Sequence, residues 1–209
     1  MRVRVYVEGG GDAASTKSSC REGFRTLFEK IISGGDTPAV IASGGRLKAF
    51  KNFCDALRDH EEEVILLLVD SERPVNTGAS NPWRHLSSNP DCWRKPPKAT
   101  ANQAHLMVQS MEAWFLADRE ALATYYGQRF LANALPRHSN IEDIPKSDLV
   151  PALECASRGT QKGKYHKTQH GFALLKLIDP ARVGRASDHA DRFFGVLKQE
   201  ARRGENRLP

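Results

Sequence analysis

The sequence predicts an α/β fold: a mostly parallel sheet of about four strands flanked by helices, followed by a helical C-terminal extension. Strand and helix patterns alternate three times in the first part of the chain, which is typical of right-handed βαβ units. Residues 63–69 form a nearly continuous apolar run, as expected of a central strand that is covered on both faces. With 209 residues, 40% of them hydrophobic, the chain is long enough to bury a core.

Each element follows from its local pattern. Alternating apolar and polar residues predict a strand at 2–7, and shorter apolar runs predict strands at 38–42 and 105–109. Apolar residues at helical spacing predict helices, and the Gly34-Gly35 pair ends the first of them. The predicted helices span 15–32, 45–60, 111–126, 149–156, 171–178 and 188–203.

Residues 73–104 interrupt this alternation. The segment is rich in Pro, Asn and Ser, and we interpret it as an insertion or lid of a core that spans residues 1–126. Trp83 and Trp93 lie there among basic residues, which suits single-stranded nucleic acid, although packing of the lid is the favoured interpretation. Residues 127–209 form a loop-rich and helical extension that we expect to pack on the core.

The net charge of +6 is concentrated late in the chain. From residue 158 onward there are 12 Lys and Arg against 5 Asp and Glu. This imbalance favours a polyanionic partner, and a solvated basic surface without a partner remains the alternative.

Several classes of protein are disfavoured. No apolar run reaches the roughly 18 residues of a membrane span, and the strand-like start gives no signal peptide. The cysteines form no CxxC pair, which argues against a zinc site or a disulfide framework. We therefore expect a cytoplasmic protein with no membrane association.

Acidic residues follow three of the predicted strands. Glu8 and Asp12 follow the first strand, Asp70 and Glu72 the third, and Ser110 and Glu112 the fourth. Carboxyl ends of parallel strands meet at one edge of a sheet, which is where α/β proteins bind ligands. Carboxylates crowded at one edge repel one another unless cations neutralise them, and hard oxygen ligands suit Mg²⁺ or Mn²⁺. Two such ions could activate a water and clamp a phosphate. For any one acid, helix capping or solvation is the simpler interpretation.

A second motif competes with this interpretation. Residues 11–18 nearly match the P-loop pattern GxxxxGK[ST], with Lys17 and Ser18 in place, which would indicate a P-loop-like nucleotide-binding protein. However, Thr16 stands where the phosphate cradle normally needs glycine. An ordinary first helical turn, with Ser15 or Thr16 as N-cap, also explains the segment.

Together, Val7-Glu8-Gly9 and the Asp70-Ser71-Glu72 triplet resemble the TOPRIM (topoisomerase–primase) signature, with Glu72 in place of its usual last Asp. The chain also looks like a TOPRIM-like family of uncharacterised bacterial proteins, through residues 109–114, Lys167 and the Ile178-Asp179-Pro180 turn. The resemblance implies a TOPRIM-like Rossmannoid sheet.

The acidic pattern is similar to the nuclease half of the overcoming-lysogenization-defect (OLD) nucleases. That resemblance implies two-metal phosphodiester hydrolysis, with metal ligands at Glu8, Asp12, Asp70, Glu72 and Glu112, and Ser110 beside the last of them. It also implies a separately encoded ABC- or AAA-type ATPase partner and a role in defence against phage or foreign DNA.

The OLD resemblance further implies a lysine that stabilises charge in the transition state. Lys167 is the candidate, Lys164 the reserve, and His166 a supporting residue. Simple contact with a phosphate backbone is an equal alternative for Lys167. The sequence thus predicts a metal-dependent nuclease, with DNA favoured over RNA as its substrate, and a homodimer is possible. The first alternative is a non-catalytic TOPRIM-like binding or sensor subunit.

Overall fold

The four predicted strands form one parallel sheet. A computed structural model describes residues 2–32, 36–76, 78–88 and 90–205. The strands are β1 (Val3–Val7), β2 (Ala39–Ala42), β3 (Val64–Asp70) and β4 (Ala104–Met107). They lie in the order β2-β1-β3-β4, and every neighbouring pair is parallel. The predicted α/β fold is confirmed, and each strand begins and ends within two residues of its predicted bounds. The Gly34-Gly35 helix end lies outside the described residues.

Helices cover both faces of the sheet. Among the described residues, the helices are α1 (Ala14–Ile31), α2 (Arg46–Asp59), α3 (Pro82–Leu86), α4 (Glu112–Ala117), α5 (Arg119–Tyr126), α6 (Lys146–Ser157), α7 (Phe172–Leu177), α8 (Pro180–Ala186) and α9 (Asp188–Glu205). A single π-helical turn, Lys167–Gly171, leads into α7.

The core has two parts, one on each face of the sheet. On the first face, α1 presents Phe24 to the layer that contains Leu68 of β3. On the second face, Phe53 of α2 packs in the layer that contains Leu67. Neighbouring strand residues point to opposite faces, so residues 64–69 of β3 are all apolar because the strand is covered on both faces.

The segment 73–104 packs on the second face of the sheet. Trp83 and Trp93 are 4% and 7% exposed. The Trp93 ring stacks on Phe50 of α2 with 4.3 Å between ring centroids, and Trp83 donates from its indole N–H to the carbonyl of Thr100 at 2.8 Å. Both rings are thus used in packing, as the favoured interpretation expected, and they offer no face to a nucleic-acid base.

Three helical predictions need correction. The helix expected at 111–126 is two helices, because Asp118 leaves helical geometry and its side chain accepts a hydrogen bond from the Ala121 N–H in the first turn of α5. Helix α6 begins three residues before its predicted start, despite Pro151 in its interior. Helix α8 was interpreted as a turn, although Asp179 is its N-cap and Pro180 its first residue.

The later helices complete the core of the first face. Leu149 of α6, Leu174 of α7 and Phe193 of α9 are fully buried in the same layer as α1. Residues beyond 126 are therefore continuous with the core that the sheet begins. Within the described ranges, no helix combines the length and the apolar character needed to cross a membrane.

Candidate metal centre

The strand order creates a crevice between the carboxyl ends of β1 and β3. From β1 the chain passes to β2 on one side, whereas from β3 it passes to β4 on the other. Connections that diverge in this way leave a crevice in which α/β proteins bind ligands. Glu8 directly follows β1, and Asp70 is the last residue of β3.

Three carboxylates converge at this crevice. Glu8, Asp70 and Glu72 each place one oxygen so that the three atoms lie within 4.8 Å of one another. Hydrogen bonds continue the sheet past the strand ends: Glu8 N–H donates to Leu68 O at 3.0 Å, and Glu72 N–H to Gln109 O at 3.1 Å. The backbone that carries the acids is therefore fixed by the sheet.

The loops after β1 and β2 are joined at the same edge. Gly9 and Gly44 exchange backbone hydrogen bonds of 2.8 and 3.0 Å. Gly44 has a φ of +84°, and a Cβ there would lie 2.8 Å from the carbonyl oxygen of Gly11. Only glycine permits this approach without displacement of backbone, which explains the glycine at position 44.

Each acid of the cluster uses one oxygen to accept a hydrogen bond from a residue distant in sequence. Glu8 accepts from the Asp70 N–H at 3.2 Å through Oε2, and Asp70 accepts from the Met111 N–H at 2.8 Å through Oδ1. Glu72 accepts from Lys146 through Oε2. Three hard carboxylate oxygens suit Mg²⁺ or Mn²⁺, and Oδ2 of Asp70 also lies 3.6 Å from the Lys167 ammonium.

Arg46 is a member of the site that the sequence interpretation missed. It is the first residue of α2, and its guanidinium lies 3.6 Å from Oε2 of Glu8 and donates to the carbonyl of Asp70. Asp91 holds it through two hydrogen bonds of 2.9 and 2.6 Å, and Trp93 lies 4.8 Å beneath it. The segment 73–104 thus positions a cation at the acidic edge. The Gly44-Gly45-Arg46 stretch, which lies shortly after β2, could have indicated this arginine in the sequence.

Lys146 was also missed. It is the first residue of α6, and its ammonium forms an ion pair with Glu72. Its backbone N–H donates to the Gln109 side chain at 3.2 Å, which fixes the start of the helix beside the strand end. No local pattern marks this lysine, because its partner lies 74 residues earlier.

Lys167 and Glu112 meet next to Asp70. The Lys167 ammonium lies 3.6 Å from Oδ2 of Asp70 and 3.5 Å from Oε1 of Glu112. Glu112 is 1% exposed, and its Oε1 also accepts a hydrogen bond of 3.1 Å from the Tyr165 hydroxyl. The π-helical turn therefore carries the predicted lysine to the acidic edge, and Tyr165, which was not predicted, fixes the neighbouring carboxylate.

Burial and charge set the protonation of these groups. Burial raises the pKa of Asp70 to about 7; Lys167 opposes this shift, and Glu8 and Glu112 reinforce it. Burial also raises the pKa of Glu8, although Arg46 acts in the opposite direction. For Lys167, burial lowers the pKa, but the attraction of Asp70 and Glu112 outweighs it and the net shift is upward. Lys167 is thus a fixed cation, whereas Asp70 changes charge near neutral pH.

The chain matches a model of a protein family over most of its length. The family model described as a domain of unknown function, DUF4276, matches residues 7–198. The chain belongs to the DUF4276 family. The match includes the whole acidic edge, from Glu8 to Lys167. Searches of curated proteins and of solved structures gave no match.

Of the predicted metal ligands of the DUF4276 chain, Glu112 lies beside Lys167 but is not in the group of converging oxygens. Four further predicted site residues lie away from both. Asp12 is exposed in the loop next to Gly44 and is not in the group of converging oxygens. Ser110 is buried, and its carbonyl accepts from the Ala113 N–H as the chain turns into α4. Lys164 pairs with Glu154 at 2.8 Å. His166 is exposed, with its Nδ1 3.1 Å from the Thr168 hydroxyl.

In the P-loop-like segment of the DUF4276 chain, the side chain of Thr16 holds the backbone of the loop. The Thr16 hydroxyl donates to the carbonyl of Gly10, and its oxygen also lies 3.0 Å from the carbonyl oxygen of Ala13. The N-cap of α1 is Ala13, so the expectation of Ser15 or Thr16 in that position was wrong. A hydroxyl group therefore stands where a P-loop has its second glycine, close to the backbone of the loop.

Proposed function

We propose that this chain is a divalent-metal-dependent nuclease that hydrolyses phosphodiesters at its acidic edge. The observation that carries the proposal is the convergence of Glu8, Asp70 and Glu72, with oxygens within 4.8 Å at the crevice between β1 and β3. A set of three carboxylate oxygens is the ligand chemistry of Mg²⁺ and Mn²⁺, and a bound ion would lower the pKa of a water and polarise a phosphoryl oxygen.

The chain's own residues prepare this edge for an anionic substrate. Arg46 and Lys146 neutralise Glu8 and Glu72, and Lys167 presents an ammonium between two buried carboxylates. An ammonium so placed donates hydrogen bonds to a phosphate oxygen as negative charge develops on it. Tyr165 keeps the Glu112 carboxylate oriented toward that ammonium.

The proposed substrate is nucleic acid, with DNA favoured over RNA. The basic balance after residue 158 supports a polyanion, because cations clustered on a protein attract a phosphate backbone. The OLD resemblance adds two further proposals: a separately encoded ABC- or AAA-type ATPase partner, and a role in defence against phage or foreign DNA. A homodimer is a separate proposal that the resemblance does not supply.

One observation favours a second candidate, a non-catalytic binding subunit. Each acid of the cluster already faces a side-chain cation, since Arg46, Lys146 and Lys167 lie at Glu8, Glu72 and Asp70. Such pairs can stabilise a carboxylate cluster without any metal. This candidate predicts that purified protein binds nucleic acid but does not bind Mn²⁺.

A cleavage assay tests the proposal. The full chain is incubated with plasmid and with single-stranded DNA in Mn²⁺, Mg²⁺ or EDTA, with and without a co-encoded ATPase. We expect metal-dependent cleavage, reduced on the order of 100-fold or more by Glu8→Gln or Asp70→Asn, because each removes a ligand charge.

The matched control is Glu61→Gln, an exposed acid paired with Lys98 on the surface, which should cleave like the wild type. Absence of cleavage under all conditions, together with absence of Mn²⁺ binding in calorimetry, would overturn the nuclease proposal and leave the binding subunit.

A further inference from the structure

The basic residues from 158 onward differ in what surrounds them. Lys176, Arg182 and Arg203 form ion pairs of 2.5 to 2.7 Å with neighbouring acids. Arg192 donates to two backbone carbonyls near the start of β4. Among the described residues, two groups of cations remain, one in residues 158–167 and one along α8 and α9. Only these two groups can offer charge to a partner.

Residues 158–167 form a basic segment whose backbone is held near both ends. The segment contains four Lys and Arg and no Asp or Glu. The buried Ser157 accepts hydrogen bonds from the Tyr165 N–H at 2.7 Å and, through its carbonyl, from the Thr160 N–H at 2.9 Å. Tyr165 is 2% exposed, and its hydroxyl donates to Glu112. The basic segment is therefore a fixed part of the surface.

The cations of the basic segment lie on its solvent side. Arg158 and Lys162 are exposed, and neither forms an ion pair with a described residue. The Lys162 ammonium lies 4.7 Å from the centroid of the Tyr125 ring, a cation–π contact that limits where it can move. Lys164 pairs with Glu154 at 2.8 Å, but its side chain is still 61% exposed. The surface of the segment is thus positive, with one acid paired at its margin.

The basic segment is continuous with the acidic edge. Its last residue is Lys167, whose ammonium lies 3.6 Å from Oδ2 of Asp70. Beneath the segment, the ring of Tyr125 lies 6.0 Å from that of His170, which lies 6.2 Å from the ring of Tyr165. One layer of packed rings therefore supports the segment up to the lysine at the edge.

We infer that the basic segment binds the phosphodiester backbone of a nucleic-acid strand and places that strand at the acidic edge. The inference rests on the proposed function and names the surface that holds its substrate. Exposed Lys and Arg bind phosphates through charge and do not read bases, so this binding is independent of sequence and weakens with salt. Lys167 is the point at which the bound backbone meets the carboxylates.

The groove along α8 and α9 is the competing basic surface. Its cavity of about 960 Å³ is lined by four cations and also by two acids: Lys30, Arg185, Lys198, Arg202, Asp179 and Asp191. Lys30 lies in the last turn of α1, whereas the first turn of α1 follows the loop at the acidic edge. At 1.5 Å per residue, the length of this helix separates the two by roughly 25 Å. Mixed charge and distance both favour the basic segment over this groove.

DNA binding without metal tests the inference. The full-length wild type and two double variants, Arg158→Gln/Lys162→Gln and Arg202→Gln/Lys198→Gln, are titrated into a fluorescein-labelled DNA duplex in EDTA at several salt concentrations, and anisotropy is measured. Each double variant loses one exposed Arg and one exposed Lys. We expect the first to bind about 10-fold or more weaker at low salt, with a slope of log affinity against log salt smaller by about 2. The second should bind like the wild type.

The outcomes separate this inference from the proposed function. Weaker binding by the α9 variant and not by the segment variant would overturn the inference and leave the nuclease proposal intact. Weaker binding by the segment variant, in a protein that cleaves nothing and binds no Mn²⁺, would support the inference and overturn the nuclease proposal. A wild type that binds no DNA would overturn both the inference and the nucleic-acid substrate.

Thermal unfolding followed by circular dichroism shows whether both double variants fold. If the segment variant does not, Arg158→Gln alone keeps the contact of Lys162 with Tyr125 and is compared with Arg202→Gln. The expected change in slope is then about 1. An unchanged slope in a folded Arg158→Gln would count against the basic segment.

Discussion

Asp70 is a carboxyl group that the fold holds at an energetic cost. Its pKa is about 7 in the folded chain, against an ordinary value of 3.8, chiefly because of burial. Between these two values the folded protein keeps a proton that the unfolded chain has lost. The free energy of unfolding therefore falls as pH rises from about 4 to about 7, by about 1.4 kcal/mol for each unit of the difference.

Asp70→Asn should accordingly stabilise the metal-free protein at pH 8 and leave it nearly unchanged at pH 4. The amide oxygen can still accept from the Met111 N–H, so the substitution removes the buried negative charge and keeps this hydrogen bond. Urea unfolding in EDTA at the two pH values measures the difference. Asp55→Asn, an exposed acid paired with Arg58 on α2, is the control and should show no such pH dependence. Equal effects of Asp70→Asn at both pH values would contradict the explanation.

At the scale of residues, the sequence predicted the acidic residues of the site better than the basic residues that pair with them. Glu8 and Asp70 were found because the carboxyl ends of parallel strands share an edge, a rule that needs only the strand pattern. Lys146 could not be found in this way, since its contact with Glu72 depends on how a helix 74 residues later docks. Asp12 lies as near in sequence to Glu8 as a ligand should, but the loop pinned at Gly44 leaves it exposed.

At the scale of elements, α1 and α7 are in backbone contact. Gly23 of α1 faces α7 so closely that a Cβ would lie 2.8 Å from the carbonyl oxygen of Phe172. A backbone atom cannot turn away as a side chain can, so any larger residue must separate the helices. Because α7 directly follows the π-helical turn, this contact also sets where Lys167 stands relative to the sheet.

Gly23→Ala should therefore destabilise the protein by about 1–3 kcal/mol through overpacking. Gly195→Ala is the matched control, since that glycine is exposed in α9 and a Cβ there would meet nothing within 4 Å. The control should be more stable by about 0.5–1 kcal/mol, the gain of alanine over glycine inside a helix. Both values come from thermal or urea unfolding. A neutral Gly23→Ala would contradict the close contact.

The boundaries of helices and strands show where a prediction from local sequence patterns fails. The strands were predicted within two residues because their patterns are local: alternation of apolar and polar residues in β1, and short apolar runs in β2, β3 and β4. The break between α4 and α5 was not predicted. It depends on Asp118, whose side chain also accepts a hydrogen bond of 2.8 Å from the N–H of Asp179, which lies far along the chain. Helix α8 carried a local signal, an N-cap Asp followed by Pro180, that was assigned to a turn instead.

For the molecule as a whole, the sheet and the later helices share one core. Leu149, Leu174 and Phe193 are fully buried against the first face, beside α1 and β3. Without them, that face of the sheet would be open to water, and the apolar area that stabilises the fold would be greatly reduced.

A fragment of residues 1–126 should therefore fail to unfold cooperatively, although it contains all four strands. Circular dichroism during heating, compared with that of the full chain, is the measurement. Co-expression of residues 127–209 with the fragment should restore a cooperative transition, because the second piece supplies the missing side of the core. A sharp transition from the fragment alone would contradict this expectation.

The two lysines of the acidic edge have a consequence for how the chain is made. The ribosome synthesises β1, β3 and β4, and the acidic residues that end or follow these strands, before it synthesises Lys146 and Lys167. A nascent sheet at that stage has its acids and Arg46 but lacks two of its three cations. A sheet formed at that stage would have like charges crowded at one edge, so we expect the edge to be compensated only after α6 and the π-helical turn have been synthesised.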